Sequence, residues 1–172
     1  MKRMLRLASL LAGVLALAGC GFHLRKSATL PPAMGHVHLA MNSGDLERGL
    51  ARALVSAGVT VEDAAGPGVA ELRVPVAGFD TQSLTQGGYA RITEYAVHYR
   101  VEFDAVDADG KALLPRQRID MQREYSYDAT DSTGNGAQVA QIEHSLVDDM
   151  VQAILFRLQA AGHHAPAAAA TH

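Results

Sequence analysis

Glu94-Tyr95-Ala96-Val97-His98-Tyr99-Arg100-Val101-Glu102-Phe103-Asp104 carries the period-2 pattern of a strand. Side chains of a strand alternate between its two faces. Tyr95, Val97, Tyr99, Val101 and Phe103 therefore share one face, in phase with Tyr89 upstream, while Glu94, His98, Arg100, Glu102 and Asp104 share the other. A strand with one dry and one wet face belongs to a sheet covered on one side only. Asp107-Ala108-Asp109-Gly110 follows, a turn with glycine where a positive φ is needed, so the strand beginning near Lys111 folds back antiparallel as a hairpin. Pro115 interrupts its first part. Beyond it Ile119, Met121, Tyr125 and Tyr127 alternate with Arg118, Asp120, Gln122 and Glu124.

Upstream, Ala70, Leu72, Val74 and Val76 alternate with Glu71, Arg73 and Pro75, which predicts a half-buried strand from Val69 to Phe79. Pro75 cannot donate to a ladder, so that strand lies at an edge or carries a bulge. Gln82 to Gly88 is polar and glycine-bearing and is expected to be a loop. His36 to Met41 alternates as a short first strand, with Val37 and Leu39 opposite His36 and His38. Leu46, Leu50, Leu54 and Ala57 recur at helical spacing after Ser43-Gly44-Asp45, and Gly58 stands where a left-handed residue commonly closes a helix. Val59-Thr60-Val61 then leads into a Gly66-Pro67-Gly68 turn. Downstream of the polar stretch Asp128 to Gly136, the residues Val139, Ile142, Leu146, Met150, Ile154 and Leu158 form one stripe, which predicts the longest helix, ending near Gly162. The order is β-α-β-β-β-α. The expected fold is α+β, with two helices packed on one face of a four-stranded mixed sheet.

The N-terminus has basic Lys2, Arg3 and Arg6, an apolar run from Leu7 to Leu17, and small residues ending at Gly19. These zones are those of a secretory signal, and the apolar run falls short of the roughly 20 residues that cross a bilayer. Leu17-Ala18-Gly19-Cys20 resembles the bacterial lipobox, in which the cysteine is acylated before cleavage. Cys20 is the single cysteine, so lipidation uses up the thiol and leaves none for a disulfide. The expected organisation is a signal peptide over 1–19, a lipidated tether over 20–34 that ends in Pro31-Pro32, a domain over 35–162 and a disordered tail over 163–172. Beyond the signal, 12 basic residues face 18 acidic ones, a net charge of −6. That balance does not suit a general nucleic-acid binder.

His36-x-His38 and the tail histidines His163, His164 and His172 are nitrogen ligands without a fixed third ligand or second shell, so no metal site is expected. No Gly-x-Ser-x-Gly elbow occurs, and Ser145 and His144, adjacent in a helix, point around the cylinder rather than at each other. Gly87-Gly88 and Gly134-x-Gly136 lack the Lys-Ser/Thr of a phosphate loop. No enzyme class and no cofactor is indicated. Arg91, Arg73, Arg100, Arg116, Arg118 and Arg123 cluster on neighbouring strands. Exposed charge of this kind ordinarily serves solubility. The functional alternative is capture of an anion, because guanidinium forks a phosphate bidentately and Tyr89 offers packing surface to a glycolipid headgroup.

Cys20-Gly21-Phe22-His23-Leu24-Arg25 resembles the start of the mature chains of the LptE family of lipopolysaccharide-assembly lipoproteins. Ser43-Gly44-Asp45 with Arg52, Leu54 and Gly58-Val59 is similar to that family's first helix, and Tyr95-x-x-x-Tyr99-Arg100-Val101 to one of its strands. The resemblance implies an outer-membrane lipoprotein that plugs the lumen of the LptD β-barrel, assists its assembly and helps deliver lipopolysaccharide to the outer leaflet. It implies lipidation at Cys20, a lipopolysaccharide contact from Arg91, and a location facing the periplasm or inside the barrel; Arg73, Arg100, Arg116 and Arg118 join Arg91 as candidate lipopolysaccharide contacts on the anion-capture chemistry alone. Basic positions of the family's lipopolysaccharide-binding region do not align residue by residue here. The competing reading is a periplasm-facing carrier of glycolipid or phospholipid that works without a barrel. It requires an apolar cavity for acyl chains, and the strands show no surplus apolar face from which to build one.

Overall fold

The computed structural model describes residues 30–42, 44–84, 92–128 and 130–164. The expected signal peptide, Cys20, Tyr89, Arg91 and residues 165–172 of the expected tail lie outside them. The elements are β1 (His36–Ala40), α1 (Gly44–Ser56), β2 (Thr60–Glu62), β3 (Ala70–Ser83), β4 (Ile92–Val106), β5 (Ala112–Asp128) and α2 (Ser132–His164), with a single 3-10 turn at Pro32–Met34 before the first strand. The sheet has five strands in the order β2-β1-β3-β4-β5. β1 runs parallel to β2 and β3, while β3–β4 and β4–β5 are antiparallel, so the sheet is mixed. The fifth strand is β2. It has three residues, too few for a period-2 signal to stand out, and it is held by register with β1 rather than by its own pattern.

Both helices cover the face that carries Val97, Tyr99, Val101 and Phe103, and these pack with Leu46, Leu50, Leu54, Leu146, Met150, Ile154 and Leu158 in one core. α1 ends in a Schellman motif. Gly58 has φ +86°, its N–H donates to Val55 O at 3.0 Å, and the N–H of Val59 reaches Leu54 O at 3.0 Å. Gly49 lets α1 approach α2 closely, since a Cβ there would lie 2.8 Å from Val151 Cγ2. Among the described residues no helix is long and apolar enough to cross a membrane.

α2 begins seven residues before the expected stripe and takes in Gly134 and Gly136. Asp131 explains the early start, because its Oδ1 accepts the N–H of Gly134 at 2.9 Å as a cap. Asn135 then ties the first turn to the end of β5. Its Nδ2 donates to Asp128 O at 2.6 Å and its Oδ1 accepts from Asp128 N at 3.1 Å. The helix continues two residues beyond the expected boundary, to His164.

Pro75 sits at a register shift between Arg73, opposite Asp104, and Val76, opposite Glu102. Val74 and Pro75 together face Phe103 alone. Pairing with β1 also stops at Arg73, so Pro75 has no neighbour on that side to which it must donate. The bulge reverses the alternation: Ala70, Leu72 and Val74 point to the core, whereas Val76 is 40% exposed. Val76 is thus not on the buried face where its spacing put it. β3 also extends to Ser83, opposite Tyr95, so the first residues of the expected loop belong to the strand.

Candidate functional site

The face of the sheet turned away from the helices carries a ladder of charged side chains from three strands. The β4–β5 hairpin that builds it turns at Asp107–Lys111, where Gly110 has φ +81° and Asp107 Oδ1 accepts the N–H groups of Asp109 and Lys111 at 3.0 and 2.8 Å. Counting back from the pair Val106–Ala112 would set Arg100 opposite Arg118, two like charges. Two irregularities near Asp104 and Pro115 shift the register, and Arg100 faces Asp120 while Glu102 faces Arg118. Pro115 is accommodated there because β5 is an edge strand.

Four of the five arginines proposed for lipopolysaccharide contact are described, and all four are committed to two aspartates. Arg73 and Arg116 grip Asp104 from either side. Arg73 Nε donates to Asp104 Oδ2 at 2.7 Å, with Arg73 Nη2 on the same oxygen, and Arg116 Nη2 donates to Oδ1 at 3.0 Å. Asp104 is 4% exposed. Burial pushes its carboxyl up, but the hydrogen bonds and charges of the two guanidinium groups outweigh that and hold it below the ordinary carboxylate range.

The second clamp is more open. Arg118 Nε donates to Asp120 Oδ2 at 2.7 Å and Arg100 Nε to Oδ1 at 2.7 Å. Hydrogen bonds from Arg118 first and Arg100 second hold Asp120 at about 2, and the Arg118 guanidinium is raised in turn. All three side chains of this clamp are about half exposed. Arg123 lies on the other face of β5, where its Nη2 donates to Asp149 Oδ2 of α2 at 2.6 Å.

The aspartates that organise these arginines are visible in the sequence as wet-face residues. Their pairing is not, because it depends on the bulges. Phe79 stacks on Tyr99 with ring centroids 4.1 Å apart, and Tyr95 meets Tyr125 and Tyr127 at 5.6 and 5.5 Å. The histidines of β1 are bonded locally: His36 Nδ1 lies 2.7 Å from Glu62 Oε1 and His38 Nδ1 lies 3.1 Å from Glu62 O. Among the described residues no group of three or more His, Cys, Asp or Glu is placed to hold a metal ion.

A concavity lies elsewhere, at the Pro31 end of the sheet. It has a volume of about 610 Å³ and lies between the start of β5 and the last turns of α2, with Pro31, Leu113, Leu114 and Ala161 in its lining and Lys111 and Arg157 among its residues.

A family model described as LptE, lipopolysaccharide-assembly, matches residues 34–158. Among solved structures the chain is similar to a minor lipoprotein from Acinetobacter baumannii, at 22% identity over 74% of this chain and 92% of that one, with a TM-score of 0.62. It is also similar to an uncharacterized lipoprotein B from Nitrosomonas europaea (24% identity, 84% and 97% covered, TM-score 0.68) and to the rare lipoprotein B from Shewanella oneidensis (20% identity, 73% and 94% covered, TM-score 0.62). These likenesses show the fold. No curated protein matches the chain.

Proposed function

The chain belongs to the LptE family of lipopolysaccharide-assembly proteins, and from that premise we propose that it is acylated at Cys20, sits in the outer membrane inside an LptD-like barrel, assists that barrel's assembly and helps pass lipopolysaccharide outward without catalysing a reaction. The observation that supports this reading is the open sheet face. Its described arginines are paired within the face, as Arg73–Asp104–Arg116 and Arg100–Asp120–Arg118. Such a face meets a water-lined wall through polar contacts and ordered water, in the manner of the polar rim of a protein interface.

The two clamps differ in what they offer a lipopolysaccharide phosphate. Asp104 is buried between its partners, so its arginines are structural. Arg100 and Arg118 are half exposed and share one exposed carboxylate, so a phosphate can take the place of Asp120. Arg91 belongs to the same proposal. The Asp120→Asn variant is expected to bind lipopolysaccharide more tightly, by a few-fold, because the competing carboxylate charge is removed from between the two guanidinium groups. Replacing Arg100 and Arg118 together with alanine is expected to weaken binding by a similar factor. Equilibrium binding to the detergent-purified protein reads both changes, and equal affinity across the wild type and both variants would remove this clamp from the reading.

A further inference from the structure

We propose that the groove at the chain-entry end of the domain is a binding site for one anionic phospholipid, separate from the open sheet face. The groove is apolar in its body and, beside the uncharged Gln117, its polar lining residues are cationic. Leu113, Leu114, Pro31 and Ala161 supply aliphatic surface, and Lys111 and Arg157 supply positive charge. Its volume of about 610 Å³ falls in the range of roughly 300–1,000 Å³ that holds a single small ligand.

Neither cation is neutralised among the described residues. Arg157 Nη1 donates to Gln117 Oε1 at 3.0 Å and to Arg118 O at 3.3 Å, both uncharged acceptors. Lys111 makes no ion pair among the described residues, and it follows a turn whose Asp107 carboxylate is taken up by the backbone N–H groups of Asp109 and Lys111. Asp107 and Asp109 do not line the groove. An aliphatic groove with unneutralised cations matches an acyl chain that ends in a phosphate.

The position of the groove says where such a lipid comes from. Pro31 forms part of the lining, so the groove lies where the chain from Cys20 enters the domain. With Cys20 acylated, as proposed above, nine residues lie between the anchor and Leu30. The stretch from Cys20 to Leu30 spans at most about 35 Å when extended, which keeps this end of the domain within reach of the leaflet that holds the anchor. The occupant is therefore a phospholipid of that leaflet. The strand alternation could not reveal this site, because the groove forms between the end of a strand and the end of a helix rather than on a strand face.

The test is native mass spectrometry of the full mature protein in non-ionic detergent, with dimyristoyl phosphatidylglycerol or dimyristoyl phosphatidylcholine added at equal concentration. The expected result is one retained phosphatidylglycerol per chain and several-fold less phosphatidylcholine. Ala161→Trp, which fills the groove, is expected to abolish the adduct. Lys111→Glu reverses the charge of an exposed side chain that no ion pair holds, and it is expected to reduce the adduct several-fold with an unchanged circular dichroism spectrum. No phosphatidylglycerol adduct, equal retention of the two lipids, or an adduct that survives Lys111→Glu would overturn the proposal. The assay contains neither barrel nor lipopolysaccharide, so its failure leaves the proposed function standing.

Discussion

An alanine at position 103 is expected to lower the free energy of unfolding by about 3–5 kcal/mol, the range for truncating a buried phenylalanine. Phe103 is fully buried on β4, and it points into the layer where helix leucines meet the sheet. The β3 bulge that contains Pro75 lies directly across from it. That irregular backbone cannot easily move in to refill the space, because it also sets the alternation of the rest of β3. Urea unfolding of the detergent-purified protein reads the change as a fall in midpoint with the slope unchanged. A loss below about 1 kcal/mol would mean that the core collapses around the gap, contrary to the packing described.

Asp104→Ala, one residue further along, is expected to cost about 2 kcal/mol for a different reason. Removing one partner of a buried ion pair ordinarily costs roughly 3–5 kcal/mol. Here Arg73 and Arg116 are about half exposed, so water recovers part of their solvation and the expected loss is smaller. The clamp also has a pH signature. The carboxyl of Asp104 is held below its ordinary value in the folded protein, whereas in the unfolded chain it titrates near 3.9. Its stabilisation is therefore complete above about pH 4 and is lost as pH falls through the lower, folded-state value. The wild type should lose stability more steeply than Asp104→Ala as pH falls below about 4. Parallel pH profiles would mean that Asp104 is already unpaired in solution.

These neighbouring residues also mark the limit of what the sequence discloses. The alternation from Tyr95 to Asp104 identifies a strand with one dry face, and Phe103 and Asp104 fall on opposite sides as it requires. The hairpin turn, the glycine closing α1 and the leucine stripe of α2 are local signals, and each appears where its chemistry places it. Register is not local. Val76 leaves the core because two residues of β3 face one of β4, and Asp120 meets Arg100 because β5 slips against β4. Pro75 and Pro115 announce both interruptions without giving their size. The arginine cluster was legible as a set of residues, but its commitment to two aspartates was not, since it rests on that slip. β2 escaped notice because three residues carry no period, and α2 starts early because Asp131 and Asn135 act through side-chain bonds that hydrophobic spacing does not register.

Plugging of a barrel is tested by purifying the tagged full-length protein from outer membranes in mild detergent and identifying both its N-terminus and its partner by mass spectrometry. The expected result is a chain that begins at an acylated Cys20, in a one-to-one complex with a large LptD-like β-barrel. An acylated chain recovered alone, with no barrel at stoichiometric amount, would contradict it.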